Sequence, residues 1–247
     1  IIQTNYKGVH DGNFSIISSY KNKKSTIKNK ISLIKDVINP LSNNTDLPNF
    51  FKKKENEFVI SSGSWFIEKD ILLNGNLFIE PNTVLKFAEN VSIIVKGKIK
   101  AIGTKDKKII FESAGESWNG LYVYNALDTS FLSNVIFKNT IGVNEGILQL
   151  TGGVVFYKSP VEMKNITFAN SKSEDALNII NSKYIIENVN FFNTSSDAFD
   201  SDYSSGTIVN TKFEDIGGDA LDFSGSEAMI KKMIATRVKD KAISVGE

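Results

Sequence analysis

Five aspartates at fixed offsets of a repeat are the residues of this chain best suited to chemistry: Asp197, Asp200, Asp202, Asp219 and Asp222. The phrase that carries them reads Asp175-Ala176-Leu177-Asn178, then Asp197-Ala198-Phe199-Asp200, then Asp219-Ala220-Leu221-Asp222. A drifted copy follows at Lys241-Ala242-Ile243-Ser244, and each step is 22 residues. Carboxylates brought together by such a repeat repel one another unless a cation, a shared proton or good solvation offsets the repulsion. Three chemistries fit. The five carboxylates can ligate Ca²⁺, which takes six to eight oxygens. They can act as the acid and base of a polysaccharide enzyme. Or Asp197 and Asp219 can cap turns by accepting local amides while Asp200 and Asp222 are solvated.

Other reactive groups are few. There is no Cys, so there is neither a disulfide framework nor thiol catalysis. The single His is His10, far in sequence from the repeats, and the single Arg is Arg237, in the drifted copy. Lys241 stands where the repeat calls for Asp and can pair with Asp219 on the surface. Trp118 and Tyr122, with Trp65 and Tyr124, are the aromatics that could stack on sugar rings. Trp118 and Tyr122 are carried forward with Asp200 and Asp222 as ligand-binding candidates; the competing reading of Trp118 is a core or corner residue.

The elements that must position these groups follow from the period. Repeats in the low twenties built of β-type segments stack as a solenoid. From about Ser64 the chain breaks into short apolar runs, among them Ile71-Leu72-Leu73, Leu77-Phe78-Ile79 and Ile109-Ile110-Phe111, separated by Gly, Asn, Pro and Lys. They are too short for helices, and apart from Asn74-Gly75 the Asn-Gly and Asp-Gly turns of a hairpin meander do not separate them. The spacing therefore predicts parallel strands in about eight coils over 64–247. Alternation puts Leu177, Ile179, Phe199, Ser201, Leu221, Phe223, Ile243 and Val245 inside, and Asn178, Asp200, Asp222 and Ser244 outside on one ladder about 4.8 Å per coil.

A second phrase, Asn-x-x-Phe, recurs at Asn134, Asn165, Asn188 and Asn210 with steps of 31, 23 and 22 residues. It predicts an inward Phe stack and an Asn ladder at a left-handed turn. The long step predicts an extra loop within Thr140–Pro160.

Residues 1–63 read as an N-terminal segment. Ile27, Ile31, Ile34 and Ile38 fall at helical spacing, so an amphipathic helix is expected over 25–39, capping the solenoid or docking elsewhere. Pro40, Pro48 and Lys52-Lys53-Lys54 mark 40–57 as a linker or exposed loop.

Charge is unevenly distributed. Residues 1–60 hold ten Lys against five acids, and 161–247 hold nine basic against fourteen acidic groups. An acidic repeat body suits cations or cationic partners and argues against nucleic acid; the bland alternative is a solvated acidic surface. No apolar run reaches the ~18 residues of a membrane span.

Several runs carry a resemblance. Leu77-Phe-Ile-Glu-Pro-Asn-Thr-Val-Leu-Lys-Phe87, Ile94-Val-Lys-Gly-Lys-Ile-Lys-Ala-Ile-Gly-Thr104, Ile109-Ile-Phe-Glu-Ser113 and Trp118-Asn-Gly-Leu121 resemble opening coils of bacterial extracellular right-handed parallel β-helix proteins of the pectin-lyase-like superfamily. The stretches Thr151–Val161, Ser173–Ile179, Ser196–Asp202 and Asp219–Ser226 are similar to β-helix modules associated with CotH-like kinase domains. The resemblance covers about 64–247. It implies the fold but not one activity, since the superfamily holds lyases, hydrolases, epimerases, adhesins and inert scaffolds. Its lyases pair Ca²⁺-bound acidic sugars with an Arg or Lys base, for which Arg237 and Lys241 would be the nearest candidates. Its polygalacturonase-type sites include a His-Gly element that this chain lacks.

The expected protein is an all-β, right-handed parallel β-helix. Its expected role is that of a non-catalytic extracellular or envelope module presenting a rigid surface to an acidic polysaccharide or a surface or coat protein, with Ca²⁺ at the Asp ladder. The alternatives are a polysaccharide lyase or related carbohydrate enzyme, and a pure spacer. Because the sequence stops at Glu247 within a strand phrase, further domains of the same polypeptide are expected.

Overall fold

The computed structural model describes residues 13–20, 23–30, 47–145 and 148–246. The chain divides into two compact units, Ile1–Ser42 and Asn43–Glu247.

In the first unit, Asn13–Tyr20 pairs antiparallel with Lys23–Lys30, from Asn13 opposite Lys30 to Tyr20 opposite Lys23. This corrects the helix expected over 25–39 where it can be compared: Ser25–Lys30 is strand. Four isoleucines can satisfy a helical spacing, but Thr26 and Ile27 are β-branched and a facing strand rich in Ile, Phe and Tyr supplies the pairing. Residues 31–39 lie outside the described residues, as does His10. No helix occurs among the described residues, so none there is long and apolar enough to cross a membrane.

The second unit is a parallel β-solenoid of about eight coils. One wall is an eight-stranded parallel sheet, here the first sheet. Its strands are Ile71–Asn74, Ser92–Lys96, Gly120–Tyr124, Gly152–Tyr157, Asp175–Ile180, Asp197–Asp202, Leu221–Ser224 and Ser244–Gly246. The rest of each coil belongs to a second, 13-stranded sheet. That sheet bends once per coil, and the longer strands Ser130–Lys138, Val161–Ala169, Ser205–Ile216 and Glu227–Val238 run through the bend. Glu57–Ile60 joins it in parallel with Asn76–Ile79 and is itself paired antiparallel with Phe51–Lys54. Lys52–Lys54, expected in a loop, is therefore strand, with its side chains exposed.

The bend is made by the Asn of Asn-x-x-Phe. Asn134, Asn165, Asn188 and Asn210 have φ of 53°, 56°, 54° and 52°. A left-handed backbone costs most L-residues about 1–2 kcal/mol, and Asn bears it best because its short amide can hydrogen-bond locally. Here the amides also bond along the stack: Asn165 Nδ2 donates to Asn134 Oδ1 at 3.4 Å, Asn188 to Asn165 at 3.3 Å and Asn210 to Asn188 at 3.1 Å. Lys232 takes over the position at φ 57°. Three residues on, Phe137, Phe168, Phe191 and Phe213 continue an interior column begun by Phe87 and Phe111, with neighbouring centroids 4.8–6.3 Å apart and rings near parallel.

Another turn carries a serine ladder whose 22–23-residue spacing is visible in the sequence at Ser159, Ser182, Ser204 and Ser226. Each of the last three accepts the backbone N–H of the previous coil's Ser at 2.8–3.0 Å. Buried turn amides thereby find partners without leaving the stack. The long coil step resolves into an antiparallel excursion, Val143–Glu145 with Leu148–Leu150. It places Val143 against Tyr122 and Val155 on the outside of the first sheet.

Candidate functional site

The outer face of the first sheet gathers the acids. In the register, Asn178, Asp200, Asp222 and Ser244 follow one another, and Asp175 lies beside Asp197. Leu177, Ile179, Phe199, Ser201, Leu221 and Phe223 point inward and are buried, as the alternation predicts. Ile243 and Val245 are exposed instead: Val245 lies in the strand Ser244–Gly246, which is paired on one side only, and Ile243 immediately precedes it.

Asp197 and Asp219 are turn caps. Asp197 Oδ1 accepts the N–H of Asp219 and Asp219 Oδ1 that of Lys241, both at 2.7 Å and both 22 residues apart. Asp70 does the same for the N–H of Ser92 at 2.7 Å. Each cap uses one carboxylate oxygen for the backbone of the next coil. Lys241 Nζ lies 3.5 Å from Asp219 Oδ2, the ion pair its sequence position predicts.

Asp200 and Asp202 are tied together differently. Asn178 Nδ2 donates to Asp200 Oδ2 at 2.9 Å and to Asp202 Oδ2 at 3.0 Å. Asn178 is only 2% exposed, and its Oδ1 and Asp200 Oδ1 are buried acceptors without a hydrogen-bond partner in the protein. Dehydrated oxygens short of donors are unfavourable unless a proton or a cation meets them, and at Asp200 the neighbouring Ser201 amide favours the charged form. Asp222 makes no hydrogen bond among the described residues.

Burial and crowding shift these groups together. Burial, reinforced by the charges of Asp202 and Asp222, pushes Asp200 up to about 7. Burial, with Asp200 and Glu174 nearby, pushes Asp175 up to about 8 against the opposing bond from Thr151. Asp197 is raised too, mainly by burial, although its bond to the Asp219 amide opposes this. Asp175 is 4% exposed and was not among the residues singled out from the sequence, although it opens the repeat series.

A metal can be tested against this geometry. One carboxylate oxygen from each of Asp197, Asp219 and Asp222 lies within 4.8 Å of the others. Ligands on opposite sides of a Ca²⁺ ion stand about 4.8 Å apart, so the three oxygens fit one coordination sphere. Asp200 and Asp202 lie on the same face and are joined through Asn178 rather than to this triad.

The two aromatic candidates are elsewhere. Trp118 is fully buried and stacks on Phe87 at 4.0 Å, with Nε1 donating to Lys138 O at 2.8 Å. Tyr122 is buried beneath Val143 and Val155, its hydroxyl donating to Asn119 O at 3.0 Å. Neither offers a ring face to a sugar. The core reading of Trp118 holds, and Tyr122, though on the outward side of its strand, is roofed by the excursion. Arg237 is held by Glu214 at 2.6 Å and by Asp215 at 2.5 Å, so its guanidinium is already paired.

The fold and site define a parallel β-solenoid with an acidic sheet face. Comparison with protein-family models, curated proteins and solved structures finds no match for this chain.

Proposed function

We propose that the acidic face of the first sheet is a cation-assisted binding surface. The observation that carries this reading is the convergence of Asp197, Asp219 and Asp222 oxygens within one Ca²⁺-sized sphere, beside buried, partnerless oxygens on Asn178 and Asp200. A bound Ca²⁺ would offset the stacked carboxylates and could bridge them to the acids of a polysaccharide or of a surface or coat protein. A stiff stack of coils suits presentation of such a surface, and the resemblance to pectin-lyase-like and CotH-associated modules favours an extracellular or envelope setting.

Calorimetric titration of chelator-stripped protein with Ca²⁺ tests it, with Asp222→Asn as the partner variant because Asp222 caps no turn. Saturable binding lost in Asp222→Asn is expected. Wild-type protein that shows no saturable heat change of either sign up to millimolar Ca²⁺ would sink the reading.

A second reading, a carbohydrate enzyme acting on acidic glycans, draws on one observation. Asp200 titrates near 7, the range in which a general acid or base works best. Turnover of a polyuronide panel by wild type but not by folded Asp200→Asn would favour it; no turnover with or without Ca²⁺ would remove it.

A further inference from the structure

The second sheet presents a different outward ladder on the part that begins at Glu57–Ile60. The register runs Val59, Phe78, Lys100, Phe131, Glu162, Ile185, Thr207 and Met229. From Phe78 onward apolar and polar residues alternate coil by coil. Phe131, Ile185 and Met229 are 41%, 47% and 55% exposed. Shallow grooves join these positions: Val59, Phe78, Lys100 and Ile102 line one, and Phe131, Glu162 and Ile185 line another. Exposed apolar residues in a connected row, with charges set between them, mark an interaction surface more often than scattered ones do.

We infer that this face is a two-fold interface between two copies of the chain. The charge pattern is the argument, because it is self-complementary about Phe131. A two-fold axis parallel to the strands lays one face on the other and reverses the coil order. Centred on Phe131, it sets Phe131 on Phe131 of the second copy, Lys100 on Glu162, Phe78 on Ile185 and Val59 on Thr207. Centred one coil away on either side, it would set Lys100 on Lys100 or Glu162 on Glu162. An isologous contact requires that if one residue meets another, the reverse contact occurs too, and this ladder satisfies that requirement with opposite charges and with apolar pairs. Both copies share the same coil spacing of about 4.8 Å, so contacts in register at Phe131 stay in register along the ladder. On the adjacent outward ladder Ser133 would face itself, Ile102 the stem of Lys164, and Glu80 would face Glu187, whose charge Lys164 Nζ offsets at 3.1 Å.

The inference is independent of the acidic face and of any cation. Sedimentation equilibrium of the full chain over ~1–200 µM tests it, a range that detects micromolar association. Wild type is compared with Lys100→Glu, Glu162→Lys, the swapped double variant and Phe131→Arg; matched circular dichroism and melting curves confirm that each is folded. Wild type should dimerise. Each single charge reversal should weaken the dimer about tenfold or more, since two pairs become like-charged. The double swap should restore affinity to within about threefold of wild type. Phe131→Arg, which sets two cations on the axis, should abolish the dimer. A wild type that stays monomeric throughout overturns the inference. So does a dimer indifferent to Phe131→Arg, or one whose single reversals are not rescued by the swap.

Discussion

Asp197 and Asp219 are linked through the backbone: the Asp197 carboxylate accepts the Asp219 N–H at 2.7 Å, and Asp219 repeats the arrangement on Lys241. The same two side chains that look like metal ligands therefore hold consecutive turns together. Removing either for a binding test would disturb the stack, and this is why Asp222 is the cleaner probe.

This gives a first prediction about stability. Asp197→Ala leaves the Asp219 amide without its acceptor and should cost about 1.5–3 kcal/mol, the usual range for a hydrogen bond to a charged group. Asp222→Asn should be neutral or stabilising, because it removes charge from a crowded face. Urea unfolding of both variants, read at equal m-value, checks the contrast; equal destabilisation would show that Asp222 also supports the fold.

The second prediction concerns pH. Asp200 and Asp175 titrate near 7 and 8 when folded against an ordinary carboxylate value of 3.8. Between 3.8 and those values the folded state binds more protons than the unfolded state, so these two groups make stability fall as pH rises. Their unfavourable contribution is absent below about pH 4 and complete above about pH 8. Melting temperatures measured from pH 4.5 to 8.5 should decline less steeply in Asp175→Asn/Asp200→Asn than in wild type. Parallel profiles would mean that the two carboxyls ionise normally.

Third, the interior column should be least tolerant at its middle. Phe168 lies between Phe137 at 5.3 Å and Phe191 at 4.8 Å. Phe168→Ala should cost about 3–5 kcal/mol through lost burial and a cavity. Among the described residues Phe213 has one ring neighbour, Phe191 at 5.0 Å, and the next coil offers Ala235. Phe213→Ala should cost less, and denaturant midpoints of the pair will show whether the order holds.

Fourth, the Asn ladder combines backbone and side-chain effects that two substitutions can separate. Asn188 has φ 54°, donates to Asn165 and accepts from Asn210. Asn188→Ala loses both ladder bonds and a long one to Glu187 Oε1 at 3.5 Å, and strains the turn. Asn188→Gly loses the bonds but relaxes the backbone, so it should be the milder by roughly 1 kcal/mol. Equal losses would assign the whole effect to the ladder bonds.

Much of this protein could be read from residue spacing. A 22-residue recurrence of Asp-Ala-hydrophobe and the in-register Asn-x-x-Phe dictate stacked parallel coils, because residues one period apart must lie over each other in a solenoid. The Phe column, the left-handed Asn turns and the outward ladder of Asn178, Asp200 and Asp222 follow from that alone. The excursion near 143–150 was legible only as an irregular step. The helix expected over 25–39 gives way to strand at Ser25–Lys30, because periodicity in a short stretch with four isoleucines says nothing of the strand that pairs with it.

Tertiary structure decided everything that depends on what covers what. Trp118 and Tyr122 lost their surface to Phe87 and to Val143, neither of them a sequence neighbour. Asn178 and Asp175 were buried, and Asp200 was pushed toward neutral pH by that burial together with Asp202 on its own strand and Asp222 on the next coil. A repeat specifies which residues align along the stack; burial, desolvation and the pairing of individual oxygens arise only once the coils and the excursion pack, since each depends on atoms far away in the chain.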